Sequence, residues 1–212
     1  IGATHAGISV GEDGATHQCL EDMGIMRTIP GMVILNPADA TESRLAVKAA
    51  IEYQGPVYLR FGRLAVPVIF DDSYQFEIGK GVMLEDGTDV TLIGTGLMVP
   101  ATLEAKKILA EQGISARVIN MATIKPIDRD IIVKAAKETG AIVTAEEHNV
   151  IGGLGSAVAE VLCETVPTPM LRVGTQDVFG RSGKPNPLLE AYGLDAKTIV
   201  DKAKAVVAMK NA

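Results

Sequence analysis

The chain has 212 residues, 47% of them hydrophobic and 22% charged, with a formal net charge of −6; this balance suits one large or two ordinary globular domains and excludes disorder. Lys and Arg are interspersed with Asp and Glu rather than clustered, so no nucleic-acid partner is expected. Apolar runs such as Val57–Leu59 and Val66–Phe70 are far too short for a membrane span, and Cys19 and Cys163 stand outside any CxxC or Cys/His cluster, which points away from disulfides and zinc and towards a reducing, cytoplasmic setting.

In chain order, Ile1-Gly2-Ala3-Thr4-His5 reads as the interior of a domain, with further sequence expected upstream. The segment Thr4–Gln18 follows, in which His5 and His17 flank the carboxylates Glu12 and Asp13 among several glycines. Glycine lets such a loop fold tightly against a ligand, and its polar groups suit a small polyhydroxylated molecule. On residue types alone it reads equally well as a surface loop whose Asp and Thr satisfy turns. Met32–Leu35 and Val57–Arg60 have the composition of strands around a helix near Thr41–Tyr53, where Asp39 as N-cap and Glu42 three residues on have capping-box spacing. Gly62–Glu77 loses all periodicity, with Pro67 and Asp71-Asp72, and marks a domain boundary.

A second series then predicts strands at Gly81–Leu84, Val90–Gly94, Ala116–Asn120, Ala141–Ala145 and Met170–Val173. Ala101, Ala105, Ile108 and Leu109 form one apolar helix face, Ile131, Ile132, Ala135 and Ala136 a second, and Ile199, Ala203, Val206 and Val207 a third. Asp128 and Asp195 are N-cap candidates. The alternation implies an α/β fold of mostly parallel sheets with helices on both faces. The turns Gly94-Thr95-Gly96 and Gly152–Ser156 lack dinucleotide or Walker spacing and are assigned to close helix–strand packing. His148, just after a predicted strand, is either a satisfied loop histidine or a group reaching a neighbouring subunit's substrate channel.

The run Gly11-Glu12-Asp13-Gly14-Ala15-Thr16-His17-Gln18, preceded by Thr4-His5 and followed by Ile29-Pro30-Gly31-Met32 and Pro37-Ala38-Asp39, resembles the pyrimidine-domain signature of transketolases. That signature usually reads G-E-D-G-P-T-H-Q, so Ala15 departs from it at a turn position. The similarity continues through Pro56–Arg60, Glu146-Glu147-His148-Asn149 and Gly152–Ser156, motifs shared more widely with 1-deoxyxylulose-5-phosphate synthases and 2-oxoacid dehydrogenase β-subunits.

This resemblance implies that residues 1–70 are the carboxyl-terminal portion of a thiamine-diphosphate pyrimidine-binding domain and 71–212 a transketolase C-terminal domain. It also implies transfer of a two-carbon ketol unit from a ketose phosphate to an aldose phosphate, with thiamine diphosphate and Mg2+ present in the complete enzyme. The cofactor-activating glutamate and the diphosphate motif would lie outside this chain, which alone is not expected to bind the cofactor fully or to be active. By the same resemblance Asp13 and His17 are catalytic and substrate-binding, and His5 and Arg60 contact the substrate phosphate. Glu12 supports the loop, and Arg63 reads as a solvated linker residue. The implied partners are sugar phosphates and either a second copy or an amino-terminal transketolase half. The alternatives are a fragment of 1-deoxy-D-xylulose-5-phosphate synthase and a non-catalytic dimerisation or assembly module.

Overall fold

The computed structural model describes residues 1–210. Strand β1 (Gly2–Ala3) leads into a 3-10 turn (Ile8–Asp13), a short helix α1 (Asp22–Arg27), β2 (Val33–Leu35), α2 (Ala40–Glu52) and β3 (Val57–Arg60). Asp39 accepts the Glu42 N–H at 2.7 Å, while the Glu42 carboxylate reaches back to the Ala38 N–H at 2.7 Å. This is the expected capping box with its return bond shifted by one residue. The other oxygen of Asp39 accepts from the N–H groups of Ile69 and Phe70 at 2.7 and 2.8 Å. Helix α2 thereby pins the irregular segment that follows β3.

Beyond it come β4 (Val82–Glu85), β5 (Val90–Gly94), α3 (Met98–Glu111), β6 (Ala116–Asn120), β7 (Thr123–Lys125) and α4 (Arg129–Thr139), then β8 (Ile142–Asn149), α5 (Leu154–Glu164), β9 (Met170–Thr175), α6 (Pro185–Ala191) and α7 (Ala196–Lys210). Asp128 and Asp195 cap α4 and α7 as expected, accepting from Ile131 and Thr198. The strands form a sheet of order β4-β6-β5-β8-β9 that is parallel except for β4. Alternate residues of these strands serve opposite faces: Leu92, Val118 and Val143 join the cluster under α3 and α7, and Ile93, Ile119 and Ile142 join that under α4 and α5.

The other sheet has the order β1-β3-β2-β7, and its fourth strand comes from the far side of the irregular segment, antiparallel to β2. Met23, Met32, Ile34 and Tyr58 share one buried cluster with Ile119, Ile132, Leu154 and Val158, so the seam between the two sheets is itself core. Lys125 donates to the carbonyls of Arg27 and Ile29 at the end of α1, at 2.9 and 2.7 Å. Strand β8 runs four residues beyond the predicted Ala145 end, which puts Glu146, Glu147 and His148 inside a strand and not in a loop. All three are buried, so their polarity masked the strand.

Candidate functional site

The loop after β1 is closed at its base by the Ala6 N–H to the Phe61 carbonyl and the Gly7 N–H to the Cys19 carbonyl, at 3.1 and 2.9 Å. Ile8 and Val10 are buried and anchor it from within. Gly11 and Gly14 have φ of 84° and 77°, the left-handed region that glycine enters without strain. They also receive the chain between β9 and α6: a side-chain carbon on Gly14 would lie 2.4 Å from Ser182 Oγ, and one on Gly11 3.0 Å from Pro185. The glycines of this motif are therefore the surface on which the second sheet's loop rests.

This backbone exposes His5, Asp13 and His17. The His5 ring lies 3.0 Å from Thr4 Oγ1 and that of His17 2.9 Å from Thr16 Oγ1, so a neighbouring hydroxyl orients each imidazole through Nδ1. His5 has φ of 63°, a conformation rare for a side-chain-bearing residue and of the kind that collects at ligand sites. Asp13 pairs with Arg63 Nη1 at 2.9 Å, both side chains about half exposed, and the same nitrogen donates to the Val10 carbonyl. Glu12 is exposed, and the carboxylate that supports the loop is Glu147 of β8, which accepts the Ser9 N–H at 2.6 Å.

Arg60 sits elsewhere. Only 2% exposed, it bonds through Nε to Asp22 at 2.8 Å and through Nη2 to the carbonyls of Glu147 and Cys19 at 3.0 and 3.3 Å. Burial pushes the Asp22 carboxyl up, but the Arg60 charge and the bonds from Arg60 and Tyr58 outweigh it and hold the group below the ordinary carboxylate range. Arg60 thus neutralises a buried carboxylate and is not presented beside Asp13; the half-exposed Arg63 is. A cavity of about 310 Å³ at the carboxyl ends of β2 and β3 touches Arg60 and Glu147.

Behind Arg60, Glu146 and His148 of β8 find their partners inside the protein. Glu146 accepts the N–H groups of Leu154 and Gly155 at 2.7 and 2.8 Å, filling the anion-binding end of α5 with the protein's own carboxylate. Burial pushes its pKa up to about 7 against those bonds. His148 Nδ1 is 2.6 Å from the Asn149 carbonyl, so it carries the proton and donates, which leaves Nε2 to accept the Gly24 N–H at 3.3 Å. Burial and the Arg60 charge lower its pKa to about 4, so the ring is neutral near pH 7 and does not form ion pairs with Glu146 or Asp22. Of the two readings of His148, the structure supports the satisfied histidine, placed in a strand.

The glycine-rich turns pack tightly: a side-chain carbon on Gly153 would fall 1.9 Å from Glu146 Oε2, and one on Gly96 2.7 Å from Asn36 Nδ2. Sequence reasoning did not identify Asp22, Ser9 or Glu147 as part of the site's frame. The one local signal was Glu146-Glu147 placed ahead of a glycine-opened helix, an acid aimed at orphan N–H groups. Among the described residues no group of three or more His, Cys, Asp or Glu side chains could hold a metal ion.

Residues 1–68 match the family described as "Transketolase, pyrimidine binding domain", and residues 79–199 match "Transketolase, C-terminal domain". A Methanocaldococcus jannaschii protein described as a transketolase C-terminal section is 51% identical over 205 residues, which is 95% of this chain and 64% of that protein. The chain therefore spans slightly less than two thirds of that relative's length. A 1-deoxy-D-xylulose-5-phosphate synthase of Heliobacterium modesticaldum is 40% identical over 198 residues, 92% of this chain and 31% of that protein. The solved structure of a split-gene transketolase, an inactive β4 tetramer, superposes with a TM-score of 0.93 at 50% identity, covering 99% of this chain and 67% of that one.

Proposed function

The chain belongs to the transketolase family, and from that membership we propose that it is the carboxyl-terminal part of a split transketolase, transferring a two-carbon ketol unit between sugar phosphates. A separate amino-terminal polypeptide supplies the magnesium and diphosphate site, in an assembly containing more than one copy of each chain. Two relatives support the split arrangement: the C-terminal section from M. jannaschii and the split-gene transketolase. The free cysteines Cys19 and Cys163 are the basis for placing the enzyme in the cytoplasm.

The observation that carries the reading is the exposed set His5, Asp13, His17 and Arg63 on and beside one internally anchored loop. Bound thiamine diphosphate would supply the nucleophilic carbon and electron sink for breaking the sugar's carbon–carbon bond. The work of this chain is to hold the sugar and move its protons. The Asp13 carboxylate accepts a donor hydroxyl and so selects stereochemistry. His17 exchanges a proton with, or polarises, the reacting end of the donor through the nitrogen that Thr16 leaves free. His5 and Arg63 bind the phosphate. A half-exposed guanidinium beside the loop can offer paired N–H groups, whereas Arg60 is held in its buried ion pair and takes a structural role.

A 1-deoxy-D-xylulose-5-phosphate synthase is the second reading, favoured by the 40% identical synthase. The test is to assay the chain within its complete enzyme, upstream sequence included, with thiamine diphosphate and magnesium, and to compare xylulose 5-phosphate plus ribose 5-phosphate with pyruvate plus glyceraldehyde 3-phosphate. Turnover of the first pair alone is expected. Turnover of the second alone moves the assignment to the synthase, and silence with both brings forward a non-catalytic assembly role. In the active assembly, Arg63→Ala is expected to raise KM for phosphorylated donors about tenfold, the cost of one charge-assisted contact, and to leave unphosphorylated donors little changed. Equal losses with both donor types remove Arg63 from the phosphate site.

A further inference from the structure

The exposed loop is fastened from the second sheet at two points. Glu147 of β8, 2% exposed, accepts the Ser9 N–H through Oε1 at 2.6 Å. The contact needs the glycine at position 7: a side-chain carbon there, at φ 89°, would lie 2.2 Å from the Glu147 carboxyl carbon. At the other end of the loop, Gln18 Nε2 donates to Ile8 and Gly11 of the loop, at 3.1 and 3.3 Å, and to the Arg181 carbonyl beyond β9 at 2.9 Å. Gly180 makes room for it, since a side-chain carbon there would fall 1.9 Å from Gln18 Oε1. Gln18 directly follows His17, and Ser9 shares the 3-10 turn with Asp13.

Burying a carboxylate such as Glu147 costs free energy that an apolar residue of similar volume would not incur. What it provides is a carboxyl oxygen that accepts from one loop amide; burial pushes the group's pKa up, while the Arg60 charge and the Ser9 bond pull it down. We propose that Glu147 is a positioning residue, through which the C-terminal sheet holds Asp13 and His17 in register with the substrate, and that Gln18 is its counterpart at the loop's other end. The proposal rests on the ketol-transfer reading for what the loop binds; the fastening itself does not. Reacting groups displaced by about 1 Å can lose on the order of a hundredfold in rate, so a domain distant from the reacting bonds can govern turnover through this contact.

Three variants test it: Glu147→Gln, which keeps a carbonyl acceptor for Ser9; Glu147→Met, of similar volume without one; and Gln18→Met. In the assembled enzyme, kcat is expected to fall roughly tenfold or more in both Met variants, with donor KM little changed and Glu147→Gln retaining most of the activity. In the full chain, amide hydrogen exchange at Ser9, Gly14 and His17 should quicken in the Met variants while Leu92 and Val143 keep their rates. Full kcat in both Met variants overturns the proposal. So does exchange that quickens equally at Leu92 and Val143, which would make these residues supports of the whole fold. A wild-type assembly without ketol transfer defeats the functional reading alone, and loop-confined exchange then decides whether the second sheet holds the loop.

Discussion

The loop Thr4–Gln18 and strand β8 each carry acids beside an imidazole, and they use them in opposite ways. On the loop, Asp13 and His17 are exposed, with partners no more than a neighbouring threonine and a half-exposed arginine. On β8, Glu146, Glu147 and His148 are between 0 and 2% exposed and spend their polar atoms on backbone groups. The same side chains therefore act as groups offered to a ligand in one place and as internal framework in the other. The difference lies in desolvation: a buried charge must be matched inside the protein, and once matched it is no longer available to a substrate.

The largest expected effect breaks the framework. Arg60→Leu leaves Asp22 buried without its cation, and loss of one partner of such a pair costs about 3–5 kcal/mol. Urea unfolding of the variant should register a loss of that size; a change below about 1 kcal/mol would show that Arg60 is not holding Asp22 and would reopen its role at the substrate.

Next in size is the pH dependence of Glu146 and His148, two of the titratable groups on β8. Glu146 titrates near 7 when folded against its ordinary 4.5, so between these values only the folded chain keeps the proton and stability falls as pH rises. His148 titrates near 4 against its ordinary 6.5, so in that window only the unfolded chain binds the proton and stability rises with pH. The slopes, each up to about 1.4 kcal/mol per pH unit, oppose one another where the windows overlap. Relative to wild type, Glu146→Gln should steepen the rise of stability with pH from about 4.5 to 7, and His148→Gln should lower it from about 4 to 6.5. Asp22 contributes only nearer its ordinary 3.8, since its folded value is lower still. Parallel stability curves for both variants and wild type would mean that neither group is shifted as burial demands.

The smallest effect sharpens the contrast from the loop side. Asp13→Ala removes a half-exposed ion pair and should change unfolding free energy by less than about 0.5 kcal/mol. A loss of several kcal/mol would place Asp13 with the framework.

Periodic features were legible along the chain. The capping carboxylates Asp39, Asp128 and Asp195, the strands at 33–35, 57–60, 90–94 and 116–120, and the apolar faces of the helices follow from neighbours within a few residues. Strands β1 and β7 escaped notice because two or three residues carry no periodicity. The end of β8 escaped because polar residues in a row read as loop until their partners are known. Arg60 and Arg63 are three positions apart and look alike in sequence, yet Arg60 meets Asp22 across 38 residues while Arg63 meets Asp13 across 50.

By itself the sequence determined the α/β alternation, the longer strands and the loop that presents His5, Asp13 and His17, because hydrophobic periodicity, capping and glycine's backbone freedom act between near neighbours. Only the tertiary structure decided which arginine is buried, that β7 crosses to the other sheet, and that Glu147 and Gln18 fasten the loop. Those outcomes depend on which charges and hydrogen-bonding groups meet through space after desolvation.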